Sequence, residues 1–104
     1  MTVSERYVGK PFLRLLECYV LRAIGELSND EESKLETMSP KLREVYKFDG
    51  SWHEVVSHVM EIPDGLPSQI DAIWKKNREL ATQNGEELIP QDFAEMFVDH
   101  NFPS

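Results

Sequence analysis

A chain of 104 residues, 40% of them apolar, is long enough to bury one hydrophobic core and too short to divide into several domains. Its 19 acidic residues outnumber its 11 basic residues, and the resulting net charge of −8 disfavours binding to nucleic acids and to anionic membranes. We therefore expect one folded domain over residues 1–104 whose surface attracts basic partners.

The cysteine content and the amino-terminal residues bear on the cellular compartment. The single cysteine, Cys18, excludes an intramolecular disulfide bond. The first ten residues, MTVSERYVGK, have no apolar stretch typical of a secretion signal, and the most apolar run of the chain is too short to cross a bilayer. These features predict a cytoplasmic protein that is not embedded in a membrane. No residue pattern indicates a cofactor.

The most apolar segment, residues 11–27, predicts the helix around which the domain is built. Its apolar side chains cover nearly the whole circumference, so neighbouring elements must pack against several of its sides. Pro11 suits the first turn of a helix, and Ser28-Asn29-Asp30 favours an end near Leu27, which leaves Gly25 in the helix interior. Residues 1–9 form a polar lead-in.

The next segment permits two interpretations. Ser28 and Glu31 have the spacing of a capping box, which opens a second helix. Pro40 then interrupts it, and Ser39 has the side chain of a new amino-terminal cap. Residues 28–47 form either one kinked helix or two separate helices, because one apolar stripe continues through the break; its residues are Leu35, Met38, Leu42, Val45 and Tyr46.

Three further helices follow from similar signals. Ser51 and Glu54 form a second capping box and open a helix over 52–61, and a turn at 63–65 precedes a helix over 67–84. Pro90 opens a last helix over 90–100, with residues 101–104 as a short tail. The predicted inner residues of the last two helices are Ile70, Ile73, Trp74, Asn77, Leu80, Ala81, Phe93, Met96, Phe97 and His100.

The fold class that follows is all-α. We predict a single-domain, irregular bundle of five or six helices packed around the hydrophobic first helix.

Several polar residues are candidates for a chemical role. Cys18 has arginines four residues away on either side, which would lower the pKa of its thiol, although a cysteine in so apolar a helix is usually a buried hydrophobe. Asn77 and His100 fall on apolar stripes, where an amide or imidazole is either structural or lines a ligand pocket. His53 and His58 are five residues apart, which does not match the spacing of zinc ligands on one helix, so no metal site is predicted.

Function follows only indirectly. No catalytic constellation is present, so we predict a non-catalytic protein–protein interaction module that binds another protein or a second copy of itself. Tyr46, Phe48 and Phe102 lie near element ends and form the candidate contact surface. The alternatives are a small-molecule-binding helical domain and, less favoured, an inhibitor or immunity-type protein or a thiol-dependent enzyme.

Overall fold

The computed structural model describes residues 10–101, with side chains from residue 13 onward. In this part of the chain all regular secondary structure is helical, and no strand is present. The polar lead-in and Phe102 lie outside the described residues. The five helices are α1 (Lys10–Ala23), α2 (Asn29–Tyr46), α3 (Trp52–Val59), α4 (Leu66–Gln83) and α5 (Pro90–Asn101).

The carboxyl end of α1 differs from the predicted one. The helix ends at Ala23 rather than near Leu27. Gly25 has a φ of +75°, and its N–H donates to the carbonyl of Arg22 at 3.1 Å, while the N–H of Glu26 donates to the carbonyl of Leu21 at 2.9 Å. This is a Schellman cap, in which glycine adopts the left-handed conformation without steric cost. Gly25 therefore terminates the helix and is not part of its interior.

Residues 29–46 form one continuous helix, which decides between the two interpretations. The Ser28 side chain accepts a hydrogen bond from the N–H of Glu31, which is one half of the predicted capping box, whereas the Glu31 carboxylate accepts from Arg14. Pro40 lies inside the helix. Ser39 is buried, and its hydroxyl donates to the carbonyl of Leu35 and accepts from the N–H of Trp52. Ser39 is therefore not the cap of a new helix; it links α2 to the first residue of α3.

The start of α3 has the predicted capping box, because the N–H of Ser51 donates to Glu54 at 3.1 Å. Its end at Val59 comes before the predicted end at Glu61. Glu61 has a φ of +53° and donates its N–H to the carbonyl of His58, so it ends the helix in the conformation that glycine prefers.

Contacts between helices are unevenly distributed. α1 contacts α3, α4 and α5, and α2 packs mainly against α3. The buried core includes Leu16 and Val20 from α1, Trp52 and Val56 from α3, and Phe93 from α5. The rings of Trp74 and Phe93 meet edge to face with centroids 5.3 Å apart. No helix in the 10–101 region is long and apolar enough to cross a membrane.

The predicted inner faces of α4 and α5 are only partly correct. On α4, Ile70 and Trp74 are buried, whereas Ile73 and Leu80 are exposed and Asn77 is half-buried. The buried residues of α4 both lie in its first half. On α5, Met96 and His100 are exposed as well.

Candidate interaction surface

An open groove of about 440 Å³ lies between the start of α1 and the second half of α5. Apolar side chains, carboxylates and one imidazole line it together. The lining residues are Leu13, Glu17, Glu95, Met96, Val98, Asp99 and His100. We call this surface the acidic groove. Apolar side chains among carboxylates are complementary to an apolar segment that carries lysine or arginine.

The sequence of α5 produces one side of this groove directly. Pro90 occupies the first helical position, where its missing N–H costs nothing. The carboxylates of Asp92, Glu95 and Asp99 recur at intervals of three and four residues, so they share one exposed face. Phe93 and Phe97 are buried on the other side. Packing of the aromatic face into the core therefore turns the acidic face outward.

A hydrogen-bond network fixes the α1 side of the groove. Gln91 donates to the Glu17 carboxylate at 3.0 Å, and Arg14 donates to Glu17 at 3.1 Å and to the Gln91 side chain at 2.9 Å. The second terminal nitrogen of Arg14 donates to Glu31 at 2.8 Å. This hydrogen bond is the main reason that the pKa of Glu31 lies below its ordinary value. One guanidinium thus joins α1 to the first turns of α2 and α5.

Cys18 lies beside this network and is fully buried. Its thiol is 3.5 Å from a carboxylate oxygen of Glu31 and donates to it. Burial raises the pKa of the thiol to about 12, and the nearby Arg14 only partly opposes that shift. Arg22, the other arginine considered from the sequence, instead lies 3.8 Å from Glu32. The thiol is therefore protonated at neutral pH, a state that does not favour nucleophilic chemistry.

The other two polar candidates lie in different places. The Asn77 side chain donates to the carbonyl of Ile73 at 2.8 Å, within α4. His100 lines the acidic groove from the last turn of α5, next to Asp99. The structure therefore brings His100, but not Asn77, to the candidate surface.

The predicted aromatic contact surface is partly packed against the core. Tyr46 and Phe48 are half-buried beside the core residues. The Phe48 ring stacks on His58 with centroids 4.2 Å apart and an interplanar angle of 11°. Phe102 lies outside the described residues. A role of these three aromatic residues in partner binding stays a prediction.

A second, smaller cavity of about 220 Å³ lies between α1, α3 and the loop before α4. Its polar lining includes Arg22, His53, Glu54, Ser57 and Asp64. Next to it, the His53 ring nitrogen Nε2 is 2.7 Å from the hydroxyl of Ser51, and burial lowers the pKa of His53 below its ordinary value. This cavity provides both charges within one small volume.

Sequence reasoning missed the exposed apolar residues. It assigned Met38, Val45, Ile73, Leu80 and Met96 to inner stripes, yet each is more than 40% exposed. The spacing of these residues gave no signal that could have identified them, because the buried pair Leu35 and Leu42 is also seven residues apart.

Comparison of the chain with protein-family models, with curated proteins and with solved structures gave no match. Among the described side chains, no group of three or more His, Cys, Asp or Glu residues is arranged to hold a metal ion.

Proposed function

We propose that this protein is a non-catalytic interaction module that binds a basic, apolar segment of a protein partner in the acidic groove. The observation that supports this function is the composition of the groove. Leu13 and Met96 provide apolar surface, and Met96 is 46% exposed, while Val98 lines the groove but is buried. Glu95 and Asp99 are exposed beside them, so an approaching lysine or arginine meets carboxylates before the apolar surfaces touch.

The hydrogen-bond network supports this assignment, since it holds one wall in place before a partner arrives. Glu17 receives hydrogen bonds from Arg14 and Gln91 and therefore contributes a preorganised wall. Preorganisation lowers the entropy lost on binding. The net charge of −8 acts in the same direction, because it attracts a cationic partner from a distance.

The test is affinity capture from a lysate of the native host at low and high salt, read by mass spectrometry. Three forms of the chain serve as bait: the wild type, Glu95→Lys, and Glu79→Lys as the matched control. Both variants change the net charge by the same amount, but Glu79 lies on α4 outside the groove. A basic protein that the wild type and Glu79→Lys retain at low salt, and that Glu95→Lys loses, supports the proposal.

The identity of the captured protein also distinguishes between more specific functions. Recovery of a basic enzyme whose activity falls in the complex supports the inhibitor or immunity-type alternative. Equal capture by all three baits contradicts the assignment to the acidic groove. A Cys18→Ser bait that captures the same partner argues against any requirement for the thiol.

A second candidate function rests on the smaller cavity. The guanidinium of Arg22 and the carboxylates of Glu54 and Asp64 line this cavity, so it is complementary to a small zwitterion that carries both an ammonium and a carboxylate group. Thermal shift measurements against amino acids and related metabolites test this function, since a ligand that binds only the folded state raises Tm. Loss of the shift in Arg22→Ala, with retention in Glu79→Lys, supports the cavity as the site.

We also propose that α1 is the central element of the bundle. Its contacts with α3, α4 and α5 and the burial of Leu16, Val20 and Leu21 support this arrangement.

A further inference from the structure

Two helix faces of this molecule are apolar, exposed and opposite in charge. On α2, Met38 and Val45 are 43% and 58% exposed and lie seven residues apart, while Lys41 is exposed three residues after Met38. Residues seven apart on a helix form one line, and a residue three further on lies on the neighbouring line. The outer face of α2 therefore carries two exposed apolar side chains with one lysine beside them.

The segment that leads into and forms α5 repeats this pattern with the charge reversed. Ile89 and Met96 are 52% and 46% exposed and also lie seven residues apart. Asp92 is exposed three residues after Ile89. Ile89 is the residue before the first residue of α5, and within the helix Met96 follows Asp92 by four residues, as Val45 follows Lys41 on α2. When two helices pack in parallel, equivalent positions of the repeat meet in common layers, so these faces match layer by layer.

We propose that the occupant of the α5 face is a second copy of this chain, which packs its α2 alongside α5 in parallel. The layers are Met38 against Ile89, Lys41 against Asp92, and Val45 against Met96. This inference rests on the proposed function, because Met96 belongs to both this face and the acidic groove.

The contact is reciprocal, and each copy supplies both faces. Glu31 in the first turn of α2 and Gln91 in the first turn of α5 both bond to Arg14, so the two faces begin at the same point of one molecule. A pair related by a twofold axis then forms two equal contacts, which doubles the effect of any substitution on the free energy of association. The apolar layers supply most of the attraction, and the charged layer sets the register.

The test is sedimentation equilibrium of the full chain over a wide range of concentrations. We expect the wild type to reach a mass of twice the 12.1 kDa of one chain. Lys41→Glu and Asp92→Lys should each raise the dimer Kd at least about tenfold, because each places like charges in both contacts. Circular dichroism checks that each variant remains folded.

The decisive measurement is an equal mixture of the two variants. In a mixed pair, Glu at position 41 of one copy faces Lys at position 92 of the other, and the second contact keeps the original Lys41 and Asp92. The mixture should therefore recover a dimer with a Kd within about threefold of the wild type. Lys76→Glu mixed with Asp92→Lys is the control for total charge and should not recover it.

Several outcomes overturn the proposal. A wild type that stays monomeric overturns it, and so does a dimer that Lys41→Glu does not weaken or a mixture that fails to recover. Recovery with Asp99→Lys instead of Asp92→Lys contradicts the assigned register. If the wild type is monomeric but Glu95→Lys still abolishes capture of a basic partner, only the self-association is overturned. The proposed function then stands.

Discussion

Replacement of Ser39 by alanine tests the most specific link between two helices of this fold. The Ser39 hydroxyl is buried, accepts from the N–H of Trp52 at 3.0 Å and donates to the carbonyl of Leu35 at 3.4 Å. Trp52 is the first residue of α3, so its N–H has no partner within its own helix. Ser39→Ala leaves this N–H buried without an acceptor.

The expected loss of stability follows from two opposing effects. An unsatisfied buried donor costs about 1–3 kcal/mol. Alanine has a higher helix propensity than serine, by at most about 0.7 kcal/mol. The net destabilisation of Ser39→Ala should therefore be about 1–2 kcal/mol, which corresponds to a fall in Tm of about 5–15 °C for a domain of this size.

Thr37→Ala is the matched control. The Thr37 hydroxyl donates to the carbonyl of Ser33 at 3.0 Å in the same helix, but the residue is exposed and serves no second element. Its replacement gains the same helix propensity and leaves no buried donor, so the free energy of unfolding should stay within about 0.5 kcal/mol of the wild type.

Urea denaturation followed by circular dichroism measures both variants, and amide hydrogen exchange reports on the N–H of Trp52 directly. Exchange at this amide should accelerate in Ser39→Ala and not in Thr37→Ala. Equal unfolding free energies for the two variants, with unchanged exchange at Trp52, would refute the reasoning.

Three further predictions concern the core, the helix ends and the buried thiol. Leu16→Asp should unfold the domain, because Leu16 is 1% exposed and an unpaired charge buried there has no compensation. Leu80→Asp, on the exposed side of α4, should leave the thermal transition nearly unchanged. A folded Leu16→Asp variant would contradict the central role of α1. Both Gly25 and Glu61 have positive φ, which favours glycine. In thermal unfolding, Gly25→Ala should therefore destabilise the domain by about 1 kcal/mol, and Glu61→Gly should stabilise it by up to about 1 kcal/mol. Stabilisation by the first substitution or destabilisation by the second would contradict the assigned helix caps. The pKa of the Cys18 thiol is raised by folding, so its contribution to stability is fully present below the unfolded thiol pKa of about 9 and is lost as the pH rises towards 12. Between these pH values, the free energy of unfolding should therefore fall more steeply for the wild type than for Cys18→Ala. Parallel curves for the two proteins would argue against a buried, protonated thiol.

The local signals in the sequence located the helices because they act through neighbouring residues. Ser28 caps α2 through an N–H three residues away, and Ser51 and Glu54 cap α3 over the same distance. Proline begins α5, and a proline lies in the first turn of α4. Such interactions depend on short chain segments, so a single sequence is enough to recognise them.

Of the positions that the sequence misplaced, Ser39 and Ile73 depend on other helices, whereas Gly25 depends on neighbouring residues. Gly25 was placed in the helix interior because glycine occurs both inside helices and at their ends, although the hydrogen bonds of its cap reach only the carbonyls of Arg22 and Leu21. Ser39 had the spacing of a cap, yet its acceptor role serves Trp52, thirteen residues away. Helical periodicity alone also does not reveal that Ile70 is buried and Ile73 is exposed, since both lie on the apolar side of α4 and neighbouring helices cover only Ile70.

The acidic groove shows the same division. An acidic surface, a helical fold and an α5 with carboxylates on one face follow from the residues alone, because charge and helical period are local properties. The tertiary structure decided that Leu13 and Glu17 of α1 lie against α5, and that Arg14 joins three helices. A sequence does not reveal which side chains meet across a bundle, since the packing of α1 against α5 brings them together.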